Sequence, residues 1–171
     1  MTLEMFNLSG KRALITGSSQ GIGFELAKGL AASGAKIILN GRDRTKLQAA
    51  ADNLSTTGAD VQTLGFDATD HDAVRAAVDG FEDTSGTIDI LVNNAGAPFF
   101  GPALKAGAAE WESIMDVNLK GHFFMTQNAA NIMRKAGGGS IINISAISGV
   151  TPKPMQSLYS IAKAGIISMT K

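Results

Sequence analysis

The stretch Lys11-Arg12-Ala13-Leu14-Ile15-Thr16-Gly17-Ser18-Ser19-Gln20-Gly21-Ile22-Gly23 decides how the chain folds. Lys11 to Thr16 is a short apolar run, which suits a buried strand. Gly17 to Gly23 turns, and Phe24 to Ser33 reads as a helix with Ile22, Leu26 and Leu30 on one face and Gly34 as its stop. Glycines permit a tight turn and close backbone approach, while the helix offers free N–H groups and its positive dipole end to a pyrophosphate. Gly17, Ser19, Gln20, Gly21, Ile22 and Gly23 are therefore candidate cofactor-binding residues. The spacing is G-x-x-x-G-x-G rather than G-x-G-x-x-G, and a glycine-rich turn without a ligand is the plainer alternative.

Beyond this unit, strand and helix patterns alternate. Ala35 to Asn40, Asp60 to Phe66, Ile88 to Asn93 and Ser140 to Ile144 read as further strands. Between them lie helices from about Arg44 to Leu54, from Asp70 (a candidate cap) to Thr84, and from Ala108 to Lys135, the last bent or interrupted near Asn118. Another helix starts at Ser157. Strand–helix–strand connections of this length are right-handed crossovers, so the expected fold is α/β. It is a Rossmann-like doubly wound parallel sheet with strand order 3-2-1-4-5, helices on both faces and the ligand at the carboxyl ends where the order reverses. Residues 1–171 are expected to form a single dinucleotide-binding domain.

Composition narrows the function classes. Hydrophobic residues make up 44% and charged residues 18% of 171, which is a globular composition. Lys+Arg and Asp+Glu are both 15, so no charge excess points to nucleic acid or an anionic membrane. Without cysteine the chain has no disulfide or thiolate metal site. No stretch has the form of a signal peptide or is long and apolar enough to span a bilayer, so a soluble cytoplasmic protein is expected.

Several polar residues carry chemistry at the strand ends. After the second strand comes Gly41-Arg42, where NAD binders place an acid for the ribose hydroxyls. Arg42 suits a 2′-phosphate, which favours NADP(H) over NAD(H); a solvated arginine in the run Arg42-Asp43-Arg44 is the alternative. Asp67-Ala68 follows the third strand, where the carboxylate can accept from an adenine amino group. Asn94, Ala95 and Gly96 read as ligand-facing surface, and Asn93 as a brace for buried backbone groups. Tyr159 and Lys163 stand four residues apart on one helical face, so an ammonium lies a turn from a phenol that can exchange a proton with substrate. A glycine loop, an Asn-Asn-Ala-Gly run and this pair, in that order, indicate a nicotinamide-dependent oxidoreductase scaffold.

These motifs, T-G-x-x-x-G-I-G, N-N-A-G and Y-x-x-x-K, resemble the short-chain dehydrogenase/reductase family along the whole chain. The N-terminal half, with LSGKRALITGSSQGIG and ILNGRDRTKL, is similar to the gluconate 5-dehydrogenase branch; GVTPKPMQSLYSIAKAGI is similar to other branches. The resemblance implies that Tyr159 moves the proton of a small-molecule carbonyl or secondary alcohol while hydride moves to or from nicotinamide C4. Lys163 would hold the ribose hydroxyls and assist that transfer. Asn118 would match the helix asparagine whose backbone carbonyl binds a water linked to the lysine; simple packing is its alternative. The family's serine lies thirteen positions before the tyrosine, where this chain has Ala146. A one-residue bulge could swing Ser145 in, and Ser148 is a worse-spaced candidate.

The resemblance also implies further strands and helices beyond Lys171, so the chain is expected to lack the family's C-terminal part and to be a fragment, chimera or engineered chain. The fifth strand would then be an exposed edge. His71 and His122 read as surface or packing residues, and no metal site is expected. Met115, Phe123, Phe124, Met125 and Met133 read as an apolar helix stripe and, by the resemblance, an interface in a homo-oligomer. Trp111 reads as an anchor at the start of that helix. Two functions follow: an NADP(H)-dependent oxidoreductase of impaired activity, or a truncated or engineered dinucleotide-binding module without turnover.

Overall fold

A computed structural model describes residues 4–171. Five parallel strands, β1 (Arg12–Ile15), β2 (Lys36–Asn40), β3 (Val61–Leu64), β4 (Ile90–Asn93) and β5 (Ser140–Asn143), form one sheet in the expected order β3-β2-β1-β4-β5. Leu14 stands opposite Ile38 on one side and Leu91 on the other. The inner strands are apolar throughout because helices cover both faces, and the period of two sorts their side chains between two cores.

Leu14, Ile38 and Leu91 pack with Val74, Val78 and Phe81 of α3 (His71–Ser85) and with Met125, Ala129 and Ile132 of α5 (Gly121–Lys135). Ala13, Ile15, Ile37, Leu39 and Val92 pack instead with Ala27 of α1 (Gly21–Ala32) and Leu47, Ala51 and Leu54 of α2 (Arg44–Ser55). The connection reverses direction between β1 and β4, so a crevice opens at the strands' carboxyl ends.

Several boundaries differ from the sequence reading. Helix α1 begins at Gly21, three residues before Phe24, and Ile22 is 69% exposed instead of sharing the buried face with Leu26 and Leu30. Strand β3 is shorter than Asp60–Phe66 because among the described residues it is an edge paired only to β2. Among the described residues β5 pairs only with β4, and Ile142 on it is exposed.

The expected interruption of the long helix is real: α4 (Ala108–Met115) passes through a π turn at Asp116–Lys120 into α5. The wider turn re-aims the residues after it. The apolar stripe divides accordingly: Met125 and Met133 enter the core, while Trp111, Met115, Leu119 and Phe123 line an outer groove with Met169 of α6 (Ser157–Thr170).

Candidate active site

The crevice is built by strand ends locked to one another. At the end of β1 the Thr16 hydroxyl accepts from Asn94 N–H at 2.9 Å and Ala95 N–H at 3.0 Å. The Asn94 amide donates back to the carbonyls of Thr16 (2.9 Å) and Gly17 (3.2 Å). Glycine is required twice here. Gly17 has φ +62°, and a Cβ on it would meet Ala95 Cα at 2.9 Å. A Cβ on Gly23 would meet the Asn94 amide nitrogen at 2.5 Å and Gly17 O at 2.7 Å, so α1 can dock only without one.

Asn40, which closes β2, accepts from Gly17 N–H (3.3 Å) and donates to the carbonyls of Leu64 (2.9 Å) and Phe66 (3.1 Å). It thereby joins three strand ends. Asn93 braces the other side, donating to Thr126 Oγ1 and Asn143 Oδ1, each at 2.8 Å.

These contacts leave a cleft of about 500 Å³ lined by Gly17, Ser19, Gln20, Gly21, Ile22, Asn40, Gly41, Arg42, Asp67, Ala68, Asn94, Ala95 and Gly96. The crevice thus brings together eleven of the residues read from sequence as cofactor-binding; Gly23 lies behind it as a packing glycine, and Tyr159 and Lys163 lie outside that lining. A larger groove of about 660 Å³ runs between α2, β3 and α3, but it lies along the sheet edge, apart from the strand carboxyl ends.

At the crevice the N-terminus of α1 differs from those of α2 and α3. Asp43 caps α2, accepting from Thr45 and Lys46 N–H, and Asp70 caps α3, accepting from Ala73 N–H. Gln20 makes no side-chain cap to α1. The first-turn N–H groups of α1 are left for a ligand, facing a floor where glycines keep side chains out.

Arg42 Nη1 lies 3.4 Å from Asp67 Oδ2 at the outer end of the cleft. Partial burial pushes the Asp67 carboxyl up, but the Thr69 N–H and hydroxyl, and then the Arg42 guanidinium, together hold it below its ordinary value. Asp67 is thus a carboxylate whose Oδ1 is engaged by Thr69 and whose Oδ2 faces Arg42.

At the inner end, α6 brings in Tyr159 and Lys163. Tyr159 packs against Phe99, Ile114 and Leu158, with Ala97 and Ala106. Lys163 is buried, its Nζ 5.6 Å from the Tyr159 ring centroid and donating to Ile144 O at 2.8 Å. Asn118 is fully buried; its amide donates to Ala97 O (2.9 Å) and Ile114 O (3.0 Å), and its Oδ1 accepts from Ala97 N–H (3.3 Å). A methyl added to Gly96 would sit 2.9 Å from Asn118 Oδ1 and 3.8 Å from Lys163 Nζ, so these groups converge on one point of the cleft floor.

No bulge turns Ser145 toward the tyrosine: its hydroxyl donates to Lys163 O at 2.9 Å, tying the end of β5 to α6. Ser148 is buried against that helix's side of the loop, and Ala146 occupies the intervening position in ordinary extended backbone.

His122 is 1% exposed and therefore a packing residue rather than a surface one, with Nε2 2.6 Å from Ala95 O. Burial pushes its pKa down to about 4, so the ring is neutral. His71 stacks on Phe124 with centroids 4.1 Å apart. Among the described residues no group of three or more His, Asp or Glu could hold a metal, and no helix is long and apolar enough to cross a membrane.

The short chain dehydrogenase family model matches residues 11–171, from the first residue before β1 through α6. The chain belongs to the short chain dehydrogenase family. The chain is 39% identical over 168 residues to the gluconate 5-dehydrogenase of Gluconobacter oxydans, covering 98% of this chain and 66% of that protein. It is 39% identical over 165 residues to a 3-oxoacyl-(acyl-carrier-protein) reductase of Chlamydia muridarum, covering 96% and 66%. Its structure superposes with a TM-score of 0.94 on a gluconate 5-dehydrogenase from Burkholderia cenocepacia crystallised with NADP and tartrate, at 41% identity, covering 96% of this chain and 65% of that one. The chain therefore spans just under two thirds of the length of these three relatives.

Thr16, Asn40 and His122 are the organising residues of the crevice that sequence reading passes over. For Asn40 a signal exists: like Asn93, it is an amide closing an otherwise apolar strand, which demands a partner once buried.

Lys163 carries a measurable consequence of its position. Burial pushes its pKa down from 10.5 to about 8. Between those values the unfolded chain holds a proton that the folded chain has released, so stability rises with pH across that window. Below pH about 8 both states are charged and the penalty of a buried ammonium is complete. Urea-unfolding midpoints between about pH 7 and 10 will show this rise in the wild type and not in Lys163→Met. Parallel curves for the two chains would place the titrating group elsewhere.

Proposed function

We propose that this chain binds NADP(H) in the crevice and works in hydride transfer to a small-molecule carbonyl or from a secondary alcohol. The observation that carries the reading is the pairing of an uncapped α1 N-terminus with Arg42 at the end of β2, where Gly41 stands in place of a ribose-binding acid. A relative that superposes closely holds NADP, which supports the same cofactor here. When bound, the reduced nicotinamide would supply a hydride, a proton carrying two electrons, to the carbonyl carbon.

The chain's own residues do the rest. Arg42 leaves the Asp67 carboxylate for a 2′-phosphate, and Asp67 becomes free to accept from the adenine amino group. The α1 N–H groups hold the pyrophosphate, and Ala95 and Gly96 form the floor of the nicotinamide end. Tyr159 gives its phenolic proton to the carbonyl oxygen, or takes it from the alcohol in the reverse direction. The Lys163 ammonium, beside Gly96, is placed to bond ribose hydroxyls and to stabilise a tyrosinate. Asn118 fixes Ala97 and with it the loop on which the substrate end rests. The protein is read as one dinucleotide-binding domain, cytoplasmic, and self-associating through the outer groove of α4 and α5.

A second reading, cofactor binding without turnover, is favoured by the absence of a hydroxyl at Ala146, thirteen positions before Tyr159, together with the engagement of Ser145 by Lys163 O. Titration with NADPH and NADH, followed by nicotinamide fluorescence, tests the cofactor. NADPH binds tighter, and Arg42→Ala removes that preference by weakening NADPH about tenfold or more while leaving NADH within about twofold. Equal affinities in the wild type, or loss of both in Arg42→Ala, would overturn the 2′-phosphate reading.

A further inference from the structure

The loop Asn94–Ala97, which floors the inner cleft, lies outside any helix or strand and is held by side chains from three distant points of the chain. Thr16 takes the N–H groups of Asn94 and Ala95, and Asn118 takes both backbone groups of Ala97. The Ala95 carbonyl is left to His122, at 2.6 Å.

A carbonyl oxygen only accepts, so the ring nitrogen facing it must carry the proton. His122 is therefore the Nε2–H tautomer. Its Nδ1 is buried without a partner, a cost that a leucine or methionine of similar volume would not carry. The ring sits on the first turn of α5, directly after the π turn that re-aims that helix, and its own carbonyl accepts from Asn93 at 3.5 Å. A residue kept there despite an orphaned nitrogen is explained by what its other nitrogen holds.

We infer that His122 is a positioning residue: as an Nε2–H donor to Ala95 O it fixes the Ala95–Gly96 peptide against which the nicotinamide half of the cofactor rests. The inference rests on the cofactor reading above. The Lys163 ammonium nearby disfavours a second charge on the ring, in the same direction as burial, so the donor stays a neutral imidazole while the lysine supplies the site's cation.

Three forms separate this role from packing: the wild type, His122→Gln and His122→Leu. Glutamine carries an N–H donor the same number of bonds from Cβ as histidine Nε2; leucine fills the space without one. The probes are NADPH and 2′,5′-ADP, which shares the adenine end and lacks the nicotinamide. The expected result is that His122→Leu weakens NADPH about tenfold, His122→Gln stays within about threefold, and 2′,5′-ADP binds all three alike. Equal weakening of both probes in the leucine variant, or none, would overturn the role.

Nitrogen NMR of the wild type needs no variant: an Nε2–H imidazole supports the inference and an Nδ1–H imidazole refutes it. If the wild type binds neither probe, the cofactor reading fails by itself. The positioning role is then decided by amide exchange, where acceleration confined to the loop Asn94–Ala97 in His122→Leu supports it and acceleration spread over the sheet refutes it.

Discussion

Ala146→Ser raises carbonyl turnover by about 10²–10³-fold, the range typical of one hydrogen-bond donor aimed at charge developing on oxygen. The position is thirteen residues before Tyr159, the spacing at which the family resemblance implies a serine. Its backbone is already extended and half-buried, so a hydroxyl adds little volume and no backbone change. The neighbouring serine is turned away from this role, because its hydroxyl donates to Lys163 O at 2.9 Å.

The comparison is kcat/KM with NADPH over a panel of sugar acids and oxoacyl compounds, with Ala146→Val as the control that adds bulk without a donor. NADPH affinity should hold steady across these variants, since the missing group faces substrate rather than cofactor. An unchanged rate in Ala146→Ser with NADPH binding intact would move the limit on turnover away from this hydroxyl.

The sheet was legible because its signals are local and repeated. Runs such as Ala35–Asn40 and Ile88–Asn93 are too short for buried helices and end in residues that demand partners. The interruption at Asn118 was legible too, since a polar residue stood in an apolar stripe. The start of α1 was hidden by its own geometry: Gly21 sits at φ +62° and Gly23 makes the close approach to Gly17 O and Asn94, and both are poor helix formers, so propensity places the start at Phe24.

The bonds that shape the cleft were not legible because they join residues distant in sequence. Thr16 meets Asn94 across the sheet, and His122 meets Ala95 only once a π turn has rotated α5. No periodicity reports a pairing of that kind. An isolated histidine in an apolar helix reads as packing, and half of that description is correct: the ring is buried and neutral, yet it also donates a hydrogen bond.

Asn118→Leu lowers stability by roughly 3 kcal/mol and Tm by about 6–12 °C, although it replaces a buried polar residue with an apolar one of similar size. Hydrophobicity favours leucine at a site with no exposure. The loss is larger because two backbone groups are stranded at once, Ala97 N–H and Ala97 O, while Ile114 O loses its side-chain donor. Ile114 O is buried within the π-turn region, and Ala97 lies beside the Phe99–Ile114–Leu158 cluster, so water cannot easily replace the amide.

Asn118→Asp separates geometry from polarity. It still accepts from Ala97 N–H but sets a carboxylate against two carbonyl oxygens, so as a charged group it should be at least as damaging as leucine and should recover as pH falls and the carboxyl protonates. Urea unfolding of the three proteins at about pH 5 and 8 measures this. If leucine were tolerated, the π turn would be held by packing alone, and the asparagine's place here would rest on its backbone carbonyl rather than on the amide that pins Ala97.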